Sequence, residues 1–336
     1  MAFDLTTVAD DEAVFHRDGE PVVHDGLEPE TIYELEGFDV RTLPRPGEEL
    51  CRVATVNDVH FGETVCGLME GHEGGPVYRA EPGETPYPEV MNAGVIDDIA
   101  ALDPVAVVAK GDLTASGVAD EYARFMQTYG DAFGDRLYHV RGNHDAYSGE
   151  SHGATAPFVV DVPGARLAVL DTVIPTLTPG QVDADQLEWL DTMAAEADGP
   201  VLVFGHHHVW TPASERSDDY FGINPADSEA LIAVAARRTN IAGYFAGHTH
   251  RNRVVHAEAT GPMPWVEVAC VKDFPGAWAE YRIFDGGILQ IVRRASTPAA
   301  RAWAEKTRDM FGGFYGVYAL GELTDRCFLL PTRRPH

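Results

Sequence analysis

The chain has 336 residues, with 53 acidic side chains against 25 basic ones and a formal net charge of −28. A field of that sign repels nucleic acid polymers and anionic membrane surfaces, so we expect neither as a partner. The chain has no run of roughly 20 apolar residues that could cross a membrane, no signal peptide, and four scattered cysteines typical of free thiols, which together favour a cytoplasmic protein.

The predicted elements begin with short strands and turns over residues 1–46, which we interpret as an N-terminal β extension. From residue 51 strands and helices alternate. Strands are predicted at 51–56, 105–109, 136–140, 166–170, 201–204, 241–246, 265–270, 279–284 and 288–292, and helices at 89–102, 118–129, 184–195, 226–236 and 297–310. Residues 61–88 form a long Gly- and Pro-rich loop, and residues 311–336 show no pattern. This alternation predicts sheets covered by helices, with ligand sites beyond the carboxyl ends of the strands.

Five predicted strands are each followed at once by side chains that bind metals. These residues are Asp58 and His60; Asp112; Asn143, His144 and Asp145; His206, His207 and His208; and His248 and His250. A single Gly-Asp or Gly-Asn-x-Asp segment would be ordinary turn chemistry, but repetition at five strand ends indicates a site. An Asp-x-His or His-x-His pair on an extended segment directs both side chains to one side. The mixture of nitrogen and oxygen ligands suits zinc, manganese or iron, and it exceeds what one ion needs, so we predict two metal ions.

The order of these five segments resembles the calcineurin-like metallophosphoesterase superfamily over about residues 51–295. The resemblance implies an α/β fold, a four-layer α/β/β/α sandwich of two mixed β-sheets flanked by helices. We therefore divide the chain into the N-terminal β extension at 1–46, a catalytic domain at 47–296, and a C-terminal helix and tail at 297–336.

The resemblance also implies a role for each motif residue. One metal is expected on Asp58, His60 and His250, the other on Asn143, His206 and His248, with Asp112 bridging the two. His144 is expected to be the general acid, and Asp145 to orient it. The family has His-His-Pro where this chain has three histidines, so His207 stays an alternative ligand to His206, and His207 and His208 are candidate substrate contacts.

The second motif, Gly-Asp-Leu-Thr followed by Gly, lacks the arginine of protein phosphatases and is similar to the class III cyclic-nucleotide phosphodiesterases. The resemblance thus implies a phosphodiesterase in which a metal-bridging hydroxide attacks a small phosphate ester. A phosphomonoesterase or nucleotidase using the same site, and a non-catalytic scaffold of the same fold, are the alternatives. The sequence leaves a homodimer open.

Overall fold

The strands of the protein were located in a computed structural model that describes residues 3–68, 75–150, 152–210 and 220–331. In chain order they are β1 Phe3–Val8, β2 Glu12–Arg17, β3 Glu20–Asp25, β4 Ile32–Leu35, β5 Phe38–Arg41, β6 Glu49–Val56, β7 Val65–Cys66, β8 Tyr78–Arg79, β9 Ala106–Lys110, β10 Leu137–Val140, β11 Phe158–Val162, β12 Ala165–Val169, β13 Val201–Phe204, β14 Ile241–Ala246, β15 Arg253–His256, β16 Pro264–Glu267, β17 Ala277–Phe284, β18 Gly287–Arg294 and β19 Cys327–Leu330.

The helices follow the same alternation. They are α1 Tyr87–Leu102, α2 Ala119–Phe125, the short α3 Asp131–Phe133 after a π-helical turn at Met126–Gly130, α4 Ala184–Glu196, α5 Pro225–Arg237, α6 Pro298–Thr307, α7 Phe314–Leu320 and α8 Leu323–Arg326. Side-chain caps fix two of the starts: the Asp183 side chain accepts from the backbone N–H of Gln186, and that of Asn224 accepts from Asp227. No helix in the described ranges is long and apolar enough to span a membrane.

Two six-stranded mixed sheets form the centre of the fold. The first has the order β10-β9-β6-β17-β18-β19, in which β10, β9 and β6 run parallel to one another. The second has the order β11-β12-β13-β14-β16-β15, in which β12, β13, β14 and β16 run parallel. The carboxyl ends of the parallel strands therefore meet at one edge of each sheet, where five loops can approach one another.

Three apolar cores hold the layers together. Val108, Phe204, Phe245 and Tyr281 belong to a core between the two sheets. A second core joins the second sheet to α4 and α5, and a third joins the first sheet to α1, α2 and α6. Strands buried on both faces carry continuous apolar runs, which explains why β9, β13 and β14 could be recognised from sequence. The predicted four-layer α/β/β/α sandwich is confirmed.

Both terminal segments pack on the first sheet. The Thr7 hydroxyl donates to the carbonyl of Val292 in β18, and β19 pairs antiparallel with β18 from Ile288 to Ile291. The tail showed no pattern in the sequence because β19 depends on this long-range pairing rather than on local periodicity. The division at 1–46, 47–296 and 297–336 stays a prediction.

Candidate metal centre

The five motifs converge where the two sheets meet. Asp58 and His60 follow β6, Asp112 follows β9, and Asn143 follows β10, all in the first sheet. The remaining histidines follow β13 and β14, which are neighbours in the second sheet; they are His206, His207, His208, His248 and His250. The parallel direction of these strands brings residues far apart in sequence into one cluster.

Much of the cluster stands on unusual backbone. Five of the seven predicted metal ligands have positive φ: Asp58 (53°), His60 (46°), Asp112 (51°), His248 (68°) and His250 (57°). For residues other than glycine this left-handed conformation is uncommon and costs of order 1 kcal/mol. The motif residues therefore do not continue their strands. This differs from the expectation that the Asp-x-His and His-x-His pairs lie on extended segments. They reach a common centre through left-handed turns, and strain of this kind concentrates at functional sites.

Glycines allow the motif loops to approach closely. A Cβ at Gly142 would lie 2.2 Å from Oδ1 of Asp112, and one at Gly247 would lie 2.6 Å from Oδ2 of Asp58. Any larger residue at either position would push a predicted ligand out of place.

The first predicted ligand group is assembled. The ligand atoms of Asp58, His60 and His250 all lie within 4.8 Å of one another. Nε2 of His250 is 3.3 Å from Oδ1 of Asp58, and Nε2 of His60 is 4.0 Å from the same oxygen. Asp58 and His60 are buried, whereas His250 is partly exposed.

The second group lies beside the first, with Asp112 between them. Nε2 of His206 is 3.0 Å from Oδ1 of Asn143, and the ring of His248 lies 5.1 Å from that of His206. One Asp112 oxygen is 3.3 Å from His206 Nε2, and the other is 3.5 Å from His60 Nε2. Asp112 thus faces both groups, as a bridging carboxylate would.

Two of the histidines have one nitrogen held by a backbone carbonyl, and a third has one nitrogen facing a carboxylate. The Nδ1–H of His206 donates to the Lys110 carbonyl, and the Nε2–H of His248 donates to the Phe221 carbonyl. Nδ1 of His60 lies 3.0 Å from a carboxylate oxygen of Glu63. The second nitrogen of each ring is thereby left for the centre, as in protein sites where an outer partner orients a metal-binding histidine.

The electrostatics of the cluster favour a bound cation. Burial opposes ionisation of Asp58 and Asp112, but neighbouring histidines overcome it and hold the pKa of each carboxyl below its ordinary value. Burial also opposes protonation of His60 and His206, yet Asp112 helps to raise the pKa of His60 to about 10 and that of His206 to about 9. Without a metal, protons on these rings supply the positive charge that the buried carboxylates require.

The residues present fit a two-metal site. Nε2 of His60 is buried and has no hydrogen-bond partner, although it faces Asp112. An orphaned buried nitrogen is costly in an ordinary protein interior and is explained if a metal ion takes that position. Imidazole, carboxylate and amide donors together suit zinc, manganese or iron.

His144 stands at the edge of this cluster. Its ring lies 4.5 Å from that of His60, and its Nδ1–H donates to the Ala115 carbonyl at 2.6 Å. Nε2 is therefore the atom available for proton exchange. Burial lowers the pKa of His144, partly offset by Asp112.

The Asp145 carboxylate bonds to the loops around His144, and its predicted role in orienting that ring stays a prediction. Its carboxylate accepts the backbone N–H groups of Leu113, Thr114 and Gly142 and the Thr114 hydroxyl. Thr114 immediately precedes Ala115, whose carbonyl orients the ring. A route from Asp145 to the ring would run through this loop. Burial, together with Asp112, raises the pKa of Asp145 to about 6.

The second and third histidines of the run, His207 and His208, differ in their surroundings. His207 is buried, with Nδ1 2.8 Å from the Thr172 hydroxyl and Nε2–H donating to the Thr178 carbonyl. Both nitrogens have protein partners, which favours His206 as the ligand. A ligand atom of His207 nevertheless lies within 4.8 Å of those of His206 and His248, so His207 stays an alternative ligand and a predicted substrate contact. His208 is partly exposed and has an unpartnered Nδ1, so its predicted substrate contact stays open.

Sequence reasoning missed the carboxylate behind His60. Glu63 accepts from Lys272 Nζ at 2.7 Å and from the Tyr87 hydroxyl at 2.6 Å, through the oxygen that does not face His60. The spacing from His60 to Glu63 was a usable signal, but nothing local marks Lys272 or Tyr87. The four cysteines are buried free thiols, as predicted.

Comparisons with known proteins agree with this geometry. Residues 51–252 match the family model described as calcineurin-like phosphoesterase. The chain is 26% identical over 165 residues to a probable cyclic nucleotide phosphodiesterase of Synechococcus sp., which covers 47% of this chain and 63% of the relative. It is 31% identical over 162 residues to a cAMP/cGMP dual specificity phosphodiesterase of Mycobacterium tuberculosis, covering 44% and 49% respectively.

A third relative, a 3',5'-cyclic adenosine monophosphate phosphodiesterase of Pseudomonas aeruginosa, is 28% identical over 178 residues, covering 51% of this chain and 63% of the relative. The chain thus spans between about half and under two thirds of these relatives. Among solved structures, a dimetal phosphatase from Danio rerio has the same fold, with a TM-score of 0.54, 14% identity, and coverage of 72% of this chain and 96% of that one. Because the family model covers more than half of the chain and its motifs converge on one centre, the protein belongs to the calcineurin-like phosphoesterase family.

Proposed function

We propose that the protein is a metal-dependent phosphodiesterase that hydrolyses a small cyclic nucleotide. The observation that carries this proposal is the position of Asp112, which faces His60 at 3.5 Å and His206 at 3.3 Å and so joins two separate ligand groups. Two metal ions held in this way would lower the pKa of a shared water and stabilise charge on the phosphoryl oxygens.

The chain's own residues supply position and a proton. Asp58, His60 and His250 would hold one ion and Asn143, His206 and His248 the other, with Asp112 shared. His144 would protonate the departing oxygen through Nε2, since its Nδ1–H is held by Ala115. Proton transfer matters most for an alkoxide leaving group, which is a strong base.

Two observations favour a cyclic nucleotide as the substrate. The three relatives described above are named as cyclic-nucleotide phosphodiesterases. The second motif carries Ala115, whose carbonyl accepts the Nδ1–H of His144, and it has Ser116 at the place where protein phosphatases have an arginine.

The identity of the metals, the partners, the location and the oligomeric state belong to the same proposal. The metals would be manganese, iron or zinc, which the donor set suits. The formal charge of −28 argues against nucleic acid polymers and anionic membranes as partners, and a cytoplasmic location and a homodimer remain part of the proposal.

The test is a substrate screen with the protein loaded with manganese or iron. Cyclic nucleotides, glycerophosphodiesters and phosphomonoesters are compared at equal concentration, for the native chain and for Asp112→Asn. A matched control is Asp161→Asn, because Asp161 is exposed and pairs only with Arg166 on the surface. We expect hydrolysis of cyclic nucleotides that Asp112→Asn abolishes and Asp161→Asn retains. Activity on monoesters alone would contradict the phosphodiesterase assignment.

A further inference from the structure

An exposed aromatic ring beside the centre belongs to Phe221. It stacks on the imidazole of His248, with ring centroids 4.1 Å apart and an interplanar angle of 29°. Phe221 is nevertheless 53% exposed. The Phe221 ring therefore covers His248 with one face, while the exposed fraction of Phe221 leaves its other face accessible.

The position of this ring is fixed by its backbone. The Phe221 carbonyl accepts the Nε2–H of His248 at 2.8 Å. The next two residues are held as well: the Gly222 carbonyl accepts from Gly180, and the N–H of Ile223 donates to the His208 carbonyl. The ring is thus attached to a predicted metal ligand both by stacking and by a backbone hydrogen bond.

Phe221 and His144 pack on histidines of different ligand groups. His144 packs on His60 with ring centroids 4.5 Å apart, whereas Phe221 packs on His248. His60 and His248 belong to different ligand groups, with Asp112 between those groups. A diester centred over the site would therefore present its leaving oxygen to His144 and could extend its other substituent toward Phe221.

We propose that Phe221 is a stacking platform for the nucleobase of the substrate, and so determines specificity for nucleotides over phosphate esters without a base. The inference rests on the proposed function, which supplies a nucleotide at the centre. Flat π faces of bases and phenyl rings attract one another in offset stacks, and removing one such ring weakens binding measurably.

Binding to the manganese-loaded protein tests the platform without requiring turnover. Adenosine 5'-monophosphate is compared with ribose 5-phosphate, which carries the same phosphate and sugar but no base, by calorimetry. We expect the native chain to bind the nucleotide at least about fivefold more tightly, and Phe221→Ala to remove that preference while leaving the affinity for ribose 5-phosphate unchanged.

Three further variants separate stacking from simple shielding of His248. Phe221→Tyr should keep the preference, whereas Phe221→Leu, which retains an apolar cover but no aromatic face, should lose it. Phe38→Ala is the matched control, since Phe38 is 51% exposed and lies in the N-terminal β5. Bound manganese per chain, measured by elemental analysis, should stay the same in all of them.

The outcomes distinguish this proposal from the proposed function. An equal loss of affinity for both ligands in Phe221→Ala, or a native chain without preference for the nucleotide, would overturn the platform even if cyclic nucleotides are hydrolysed. A preference that depends on Phe221 in a protein that hydrolyses no diester would support the platform and overturn the phosphodiesterase assignment.

Discussion

Nδ1 of His60 lies 3.0 Å from Oε2 of Glu63, so the histidine expected to bind the first metal stands against a carboxylate from the long loop after β6. The other Glu63 oxygen is held by Lys272 and Tyr87, which keeps the carboxylate in place. An outer carboxylate of this kind fixes the ring and strengthens its donor nitrogen.

Replacing this carboxylate should weaken metal binding. We expect Glu63→Gln to lower the affinity for manganese about 10- to 100-fold, because a neutral amide cannot hold the His60 ring as an anion does. Calorimetric titration of the metal-free protein measures the effect. Glu89→Gln is the control, since Glu89 pairs with Arg124 at the surface. Equal affinities for Glu63→Gln and the control would refute a role for Glu63 in metal binding.

Loss of the His144 imidazole should depend on the leaving group. For alkyl diesters we expect His144→Ala to reduce kcat by about 100- to 10,000-fold, the range for a general acid. Nitrophenyl esters, whose leaving group needs no proton, should lose far less. Steady-state values of kcat on both substrate classes measure these losses. His256→Ala, at an exposed position, is the control. Equal losses on both classes would argue against proton donation.

The N-terminal strands are joined to the first sheet by buried charges. Arg282 in β17 pairs with Asp10 at 2.5 Å, Asp11 at 2.7 Å and Glu280 at 2.8 Å, and its side chain is 4% exposed. Arg282→Ala removes the buried cation that the three carboxylates share. Arg45 still pairs with Asp10 and Arg293 with Glu280, so we expect the free energy of unfolding to fall by about 3 kcal/mol, the lower end of the range for a broken buried pair.

Urea denaturation measures this loss. The control is Arg166→Ala, which breaks a surface pair with Asp161 and should cost no more than about 1 kcal/mol. Similar values for the two variants would mean that the buried network contributes nothing beyond a surface pair.

Acid should destabilise the protein through His16. Burial, together with Arg294, Arg301 and Arg308, lowers the pKa of this histidine from 6.5 to about 3 in the folded state. The unfolded chain therefore binds one more proton between these values, so this contribution to stability is complete above pH 6.5 and is lost as pH falls.

The expected slope is about 1.4 kcal/mol per pH unit. His16→Gln removes the titrating group and should flatten the dependence by that amount in urea denaturation between about pH 6 and about pH 4.5. His256→Gln, at an exposed position, is the control. If the two variants show the same slope, His16 does not contribute to the acid sensitivity.

Much of the fold, and the grouping of the candidate ligands at strand ends, could be predicted because both depend on local sequence. β9, β13 and β14 carry apolar runs, and each ends at a metal-binding motif. The left-handed backbone at Asp58 and His60 could not be predicted from the motif itself, since those residue types also occur on extended segments.

Contacts between distant segments were the other part that sequence could not supply. Glu63 and Lys272 are separated by 209 residues, and nothing in their surroundings indicates that they meet. The Asp145 carboxylate, which is expected to orient His144, accepts the backbone N–H groups of Leu113 and Thr114, and neither bond could be foreseen from the motif. Which donors a buried carboxylate accepts from is decided by packing rather than by residue type.

The pairing of β19 with β18 has a consequence for solution behaviour. β17 occupies one side of β18, and Ile288 to Ile291 take β19 on the other. Without residues 327–330, this stretch of β18 would become an unpaired edge. Its side chains include the apolar Ile288, Leu289 and Ile291. Exposed edges of that kind pair with other chains, so the C-terminal strand protects the catalytic sheet against aggregation.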